Sequence, residues 1–155
     1  MLPALRLGFV VTPPSLSEAL SAAKYVTDWH TSLPLQAAMA EFIERGLFAR
    51  HVRKVRGVYE ARHRKVVDML QDAFATHLEV IQSSSGLHVC ALARTASSDQ
   101  LHAVLTRASA AGVEVHELAR YAIETPRAGL LFGYGAIPLE RIEEGLRRLL
   151  DCFGE

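Results

Sequence analysis

A chain of 155 residues, half of them apolar and about a fifth charged, has enough material to bury one sizeable core. Seventeen basic residues balance seventeen acidic ones, so net charge argues for neither a nucleic-acid nor a membrane partner, and any such case rests on local clustering. Two cysteines, Cys90 and Cys152, without CxxC or metal-ligand spacing, exclude a disulfide scaffold and read as free structural thiols; with no long apolar run and no signal-peptide pattern, the expected location is the cytoplasm.

Residues 5–11 form a nearly continuous apolar run closed by Pro13 and Pro14, which reads as a buried strand stopped by proline. Arg6 is its only charge. Strand side chains alternate, so Arg6 points opposite to Leu5 and Leu7 and is either a salt-bridged edge residue or a guanidinium awaiting an anion. Gly8 implies a close approach to the backbone. Ser15 with Glu18 has capping-box spacing and opens a helix over about residues 17–28. Pro34 suits the first turn of a second helix, which Arg45 and Gly46 end by a glycine C-cap near Glu44.

From Leu47 onward, Phe48, Val52, Val55, Tyr59, Arg62, Val66, Met69 and Ala73 recur at steps of four and three. That spacing predicts one helix of about 28 residues with Gly57 as its weak point. Within the sixteen positions 50–65 the same helix collects Arg50, Arg53, Lys54, Arg56, Arg62, Arg64 and Lys65 against Glu60 alone. Such a face either meets phosphate or is simply the solvated side of an amphipathic helix, and no aromatic interleaving favours the first.

Residues 78–81 and 87–93 read as an antiparallel hairpin turning through Ser83, Ser84, Ser85 and Gly86. Ser97 caps a helix ended by Gly112. Residues 113–118 and 129–134 read as two more strands, with a loop at 119–128 carrying Arg120, Tyr121, Pro126 and Arg127. Pro138 opens a last helix with a stripe of Leu139, Ile142, Leu146, Leu149 and Phe153. The order is a strand, three helices and then ββαββα. The expected class is α+β: a small, mostly antiparallel sheet with helices packed on it. Seven histidines occur, but none pairs at i, i+4 or HxxxH spacing, and GxSxG, Walker and GxGxxG patterns are missing.

Several runs in this order carry a resemblance. They are residues 2–9 (LPALRLGF), Leu35-Gln36-Ala37-Ala38 with residues 42–46 (FIERG), and Arg50-His51-Val52-Arg53-Lys54-Val55-Arg56 with Tyr59 and Arg62. Gly86-Leu87-His88-Val89, Gly112-Val113-Glu114-Val115 and residues 129–134 (GLLFGY) follow. Together they resemble the C-terminal part of the fold-type I aminotransferase domain that uses pyridoxal 5'-phosphate, and most closely that of the MocR-type transcriptional regulators of the GntR superfamily. The HxRKxRxxYxxR run on the long helix is the most specific of these motifs.

The resemblance implies residues 1–46 that pack on a large domain lying upstream, and residues 47–155 forming the long helix with the small α+β domain. It implies Arg6 as the residue that binds the cofactor phosphate. The lysine that anchors the cofactor covalently has no counterpart, since Lys24, Lys54 and Lys65 are the only lysines and all follow Arg6 in helices. Catalysis by this chain alone is therefore not expected, nor is pyridoxal 5'-phosphate expected to be held by it outside the full-length protein. The carboxylate-binding arginine of related aminotransferases falls near Leu131, which leaves Arg127 as the nearest candidate. An upstream winged-helix domain for DNA and a small amino compound or the cofactor as effector are implied; the apolar faces that would pack on the large domain lead to the expectation of a homodimer or a rearranged N-terminal segment, and no membrane partner is expected. Two alternatives stand beside this reading: part of a genuine aminotransferase, and a stand-alone module whose basic helix binds nucleic acid.

Overall fold

The computed structural model describes residues 5–83 and 86–154. It divides into two compact units, Met1–Lys54 and Val55–Glu155. The first unit holds two helices and the start of a third: α1 (Pro14–Asp28), α2 (Leu33–Glu44) and α3 (Leu47–Asp72), whose 26 residues run on past the boundary between units. The expected strand at residues 5–11 is not formed. No strand among the described residues pairs with it, and an apolar run without a ladder partner leaves its backbone groups to solvent. Phe9, Val10 and Val11 are correspondingly 89%, 77% and 87% exposed. Gly8 does not answer to a close approach either, because a Cβ there would meet nothing within 4 Å.

Helix α1 also starts differently from its capping-box reading. Pro13 is the N-cap and Pro14 occupies the first turn, with no side-chain cap bond. Proline's fixed φ and missing N–H suit that position, so the helix starts ahead of Ser15. Neither α1 nor α2 contains a buried residue. Gly46, at φ +68°, ends α2 as the glycine signal predicts.

The second unit is an antiparallel sheet with helices on one face. Strands β1 (Leu78–Ile81), β2 (His88–Ala93), β3 (His116–Glu117) and β4 (Gly129–Gly133) lie in the order β1-β2-β4-β3. The 78–93 hairpin is as expected, although Ser84 and Ser85 of its turn lie outside the described residues. Period-2 alternation sends Val89 and Ala91 inward, where they join Leu78, Leu130 and Phe132. On that face pack Val66 and Leu70 of α3, Leu101, Val104 and Ala108 of α4 (Ser98–Ala110), and Ile142, Leu146 and Leu149 of α5 (Leu139–Asp151). Phe74, fully buried, closes the end of this core edge-on to Phe153 at 5.8 Å between ring centroids.

The strand expected over residues 113–118 is shorter than its alternation suggests. Only His116 and Glu117 pair with β4; Val113 donates its N–H to the Ala108 carbonyl, and residues Leu118–Tyr121 turn into a 3-10 helix. Gly129 explains the tight join at the start of β4: a Cβ there would stand 2.6 Å from the Ala91 carbonyl oxygen. Gly145 differs. It sits inside α5 with nothing within 4 Å of a Cβ, although a helix-interior glycine costs about 1 kcal/mol relative to alanine.

Helix α4 carries the complete capping box. The Ser97 hydroxyl accepts from the Gln100 N–H at 3.2 Å and the Gln100 side chain accepts from the Ser97 N–H at 2.8 Å. Ser97→Ala should lower the stability of this unit by about 1 kcal/mol, read as a shift of the urea midpoint at constant slope; an unchanged midpoint would show that the cap contributes nothing.

Candidate functional site

Arg6 lies in irregular chain at φ +50°, a left-handed backbone that costs an arginine about 1 kcal/mol or more. Its side chain is exposed, whereas Leu5 and Leu7 are half-buried and help line an apolar groove of about 310 Å³ with Leu35, Met39, Phe42 and His51. The expected opposition of Arg6 to its two neighbours is therefore present without a strand to impose it. Among the described residues Arg6 has no ion-pair partner.

Arg127 is exposed in the loop that precedes β4 and also lacks an ion-pair partner among the described residues. It belongs to the second unit and Arg6 to the first. Beyond Arg127, on the sheet face that the helices leave open, Leu131 is central to a row that sequence spacing could not reveal. Cys90 pairs with Leu131 from β2 and His116 pairs with it from β3, so a thiol and an imidazole flank the leucine. His88 lies two residues from Cys90 on the same face. No three His, Cys, Asp or Glu residues are arranged to hold a metal ion among the described residues.

The basic helix is partly committed to the fold. Arg56 pairs with Glu60 one turn on at 2.6 Å, and Lys65 reaches Glu143 of α5 at 2.6 Å. Arg62 donates to the Gly135 carbonyl at 2.5 Å and stands over the Tyr59 ring at 5.9 Å. Arg62 Nε and His63 Nε2 are buried without a hydrogen-bond partner among the described residues. The His63 ring packs edge-on against Tyr134, whose hydroxyl donates to the Gly86 carbonyl at 2.8 Å and is pushed above its ordinary pKa by burial. Arg62 therefore fixes the β4–α5 connection, a role its place on the apolar stripe of α3 hinted at. Arg53, Lys54 and Arg64 have no ion-pair partner among the described residues. Of the three lysines, Lys24 is held by Asp28 at 2.5 Å.

The Lys65–Glu143 bridge gives a pH signature. The Lys65 hydrogen bond, then its charge and that of Arg147, hold the Glu143 carboxyl below the usual carboxylate range. A depressed folded-state pKa contributes stability above the unfolded value, and that stability is lost as pH falls through the folded one. Lys65→Gln should therefore flatten the acid-side loss of stability between neutral pH and the carboxylate range, with a small amplitude because both side chains are 39% exposed. Identical pH profiles for the two proteins would refute this assignment.

No protein-family model matches the chain. It is 33% identical over 155 residues to the probable rhizopine catabolism regulatory protein MocR of Rhizobium meliloti, covering 99% of this chain and 31% of that protein. It is 28% identical over 150 residues to the uncharacterized HTH-type transcriptional regulator YhdI of Bacillus subtilis, covering 96% and 32%. The chain thus spans about a third of the length of the curated relatives it matches. Among solved structures it is similar to LysN, an α-aminoadipate aminotransferase from Thermus thermophilus, with a TM-score of 0.85 and 24% identity over 98% of this chain and 39% of that one. That likeness gives the fold: the small α+β region of an aminotransferase. No helix among the described residues is long and apolar enough to cross a membrane.

Proposed function

From a chain that matches the MocR-type regulators along its whole length and has the aminotransferase C-terminal fold, we propose a C-terminal portion of a transcriptional regulator that uses pyridoxal 5'-phosphate to sense a small amino compound. The observation that carries the reading is the 33% identity to a regulator across 99% of this chain. DNA binding would belong to a winged-helix domain in the complete protein, which would act as a cytoplasmic homodimer. The second domain of the pair implied here, residues 47–155, would present the effector, and residues 1–46 would pack on the large domain.

The donor set of this chain fits the cofactor in one respect only. Arg6 is an exposed guanidinium with no ion-pair partner among the described residues, suited to a phosphate. When bound, the cofactor supplies an electrophilic carbon for an amino group; Lys24, Lys54 and Lys65 of this chain would leave that carbon without an anchoring amine. Arg6 would hold and orient the phosphate, and Arg127 would meet an effector's carboxylate. Effector sensing without turnover is the consistent outcome.

In the complete regulator, Arg6→Ala should weaken pyridoxal 5'-phosphate binding by ~10-fold or more, a loss suited to a charge-assisted phosphate contact. Unchanged affinity would remove Arg6 from the site. The 155-residue chain mixed with one equivalent of the cofactor and then borohydride should carry no site-selective label; stoichiometric label on one of Lys24, Lys54 or Lys65 by mass spectrometry, above that of the urea-unfolded chain, would overturn catalytic incompleteness. A second reading, part of a genuine aminotransferase, is favoured by the fold likeness and predicts amino-group transfer by the complete protein without a DNA-binding segment.

A further inference from the structure

The second unit contains a cavity of about 330 Å³ that its own side chains leave unfilled. It opens where the β3 ladder stops at His116, so that Val113, Glu114 and Val115 part from Phe132, Gly133 and Tyr134. Its floor is core: Val66, Phe132, Ile142 and Leu146 are all buried and all line it. Gly145 lines it as well, and a Cβ at that position would meet nothing within 4 Å. Packing within the chain gives no reason for a glycine in the middle of α5, where alanine stabilises a helix better. The space above Gly145 is what an occupant would require.

Two charged residues of opposite sign line the same cavity, Arg141 from α5 and Glu114 from the segment leading into β3. Arg141 has no side-chain partner among the described residues, and the Glu114 carboxylate accepts only the Ser109 hydroxyl, at 2.7 Å. An apolar pocket at the small end of the usual ligand range, with one exposed cation and one exposed anion among its lining residues, matches a small zwitterion with an apolar body. We propose that this cavity binds a free α-amino acid with a branched apolar side chain. Its carboxylate meets Arg141, its ammonium meets Glu114, and its side chain fills the space over Gly145. This site is separate from Arg6 and does not depend on the cofactor, so its failure would leave the regulator reading untouched.

The test is calorimetric titration of the 155-residue chain with L-leucine, 4-methylpentanoate and 3-methylbutylamine. Leucine should bind, and each single-charge analogue should bind ~10-fold or more weakly, because each leaves one charged wall group unmatched. Gly145→Leu, whose Cβ meets nothing within 4 Å and whose side chain extends into the space, should abolish leucine binding while the circular dichroism and the melting temperature are kept or improved. Arg141→Gln should weaken leucine by ~10-fold and leave the amine unaffected. The proposal fails if leucine does not bind at millimolar concentration, as it would if a peptide segment is the true occupant. It fails equally if folded Gly145→Leu binds leucine like the parent.

Discussion

Phe74→Ala is expected to destabilise the unit Val55–Glu155 by about 3–5 kcal/mol, the range for deleting a large buried aromatic side chain. Phe74 is fully buried at the junction of α3 and β1, and its ring meets Phe153 edge-on at 5.8 Å. Removing it exposes Leu70 and Leu78 to a void that cannot collapse without moving the last turn of α3. For a domain of about a hundred residues, that loss corresponds to a fall in melting temperature of more than ~10 °C. Urea unfolding followed by far-ultraviolet circular dichroism measures it. A loss below about 1 kcal/mol would mean that Phe74 is not the keystone its burial implies.

Gly129→Ala is the second large effect, and it acts through backbone rather than volume. The added methyl would lie 2.6 Å from the Ala91 carbonyl oxygen and 3.2 Å from both Leu92 Cα and Leu118 Cδ2. The leucine tip can swing aside, but the carbonyl and Cα belong to β2, which pairs with β4 through Leu92 and Gly129. Relief therefore opens the central pair of the sheet, and we expect a loss of about 3 kcal/mol, at the upper end for overpacking. Gly145→Ala is the internal control, since its Cβ meets nothing and the helix gains from it. If both substitutions behave alike, the close approach at Gly129 is not what selects glycine there.

The parts of the fold that sequence could reveal are those set by local periodicity. The three-and-four stripe from Phe48 to Ala73 predicts α3 nearly to its ends, and Ser97 with Gly112 bounds α4 through interactions spanning only a few residues. Residues 5–11 misled for a physical reason: an apolar β-branched run records a preference for burial, not the presence of a neighbouring strand. Residues 113–118 kept their alternation but form a ladder only at His116 and Glu117. The row of Cys90, Leu131 and His116 depends on the register of three strands far apart in sequence, and the Arg62 contact with Gly135 spans 73 residues. No local pattern encodes either. Arg6 and Arg127 were visible as charges beside apolar segments, and the structure adds their exposure and their membership of different units.

One aromatic residue on α1's edge also decides how this protein can be watched. Trp29 is the sole tryptophan of the chain. It sits at the C-cap of α1, 63% exposed, stacked on Tyr25 at 5.4 Å, in a unit whose helices bury nothing. Its emission is therefore an optical reporter for whatever comes to cover that helix: a blue shift and reduced quenching by iodide would register docking directly. The same fluorophore is blind to the cooperative melting of the sheet unit, which contains no tryptophan.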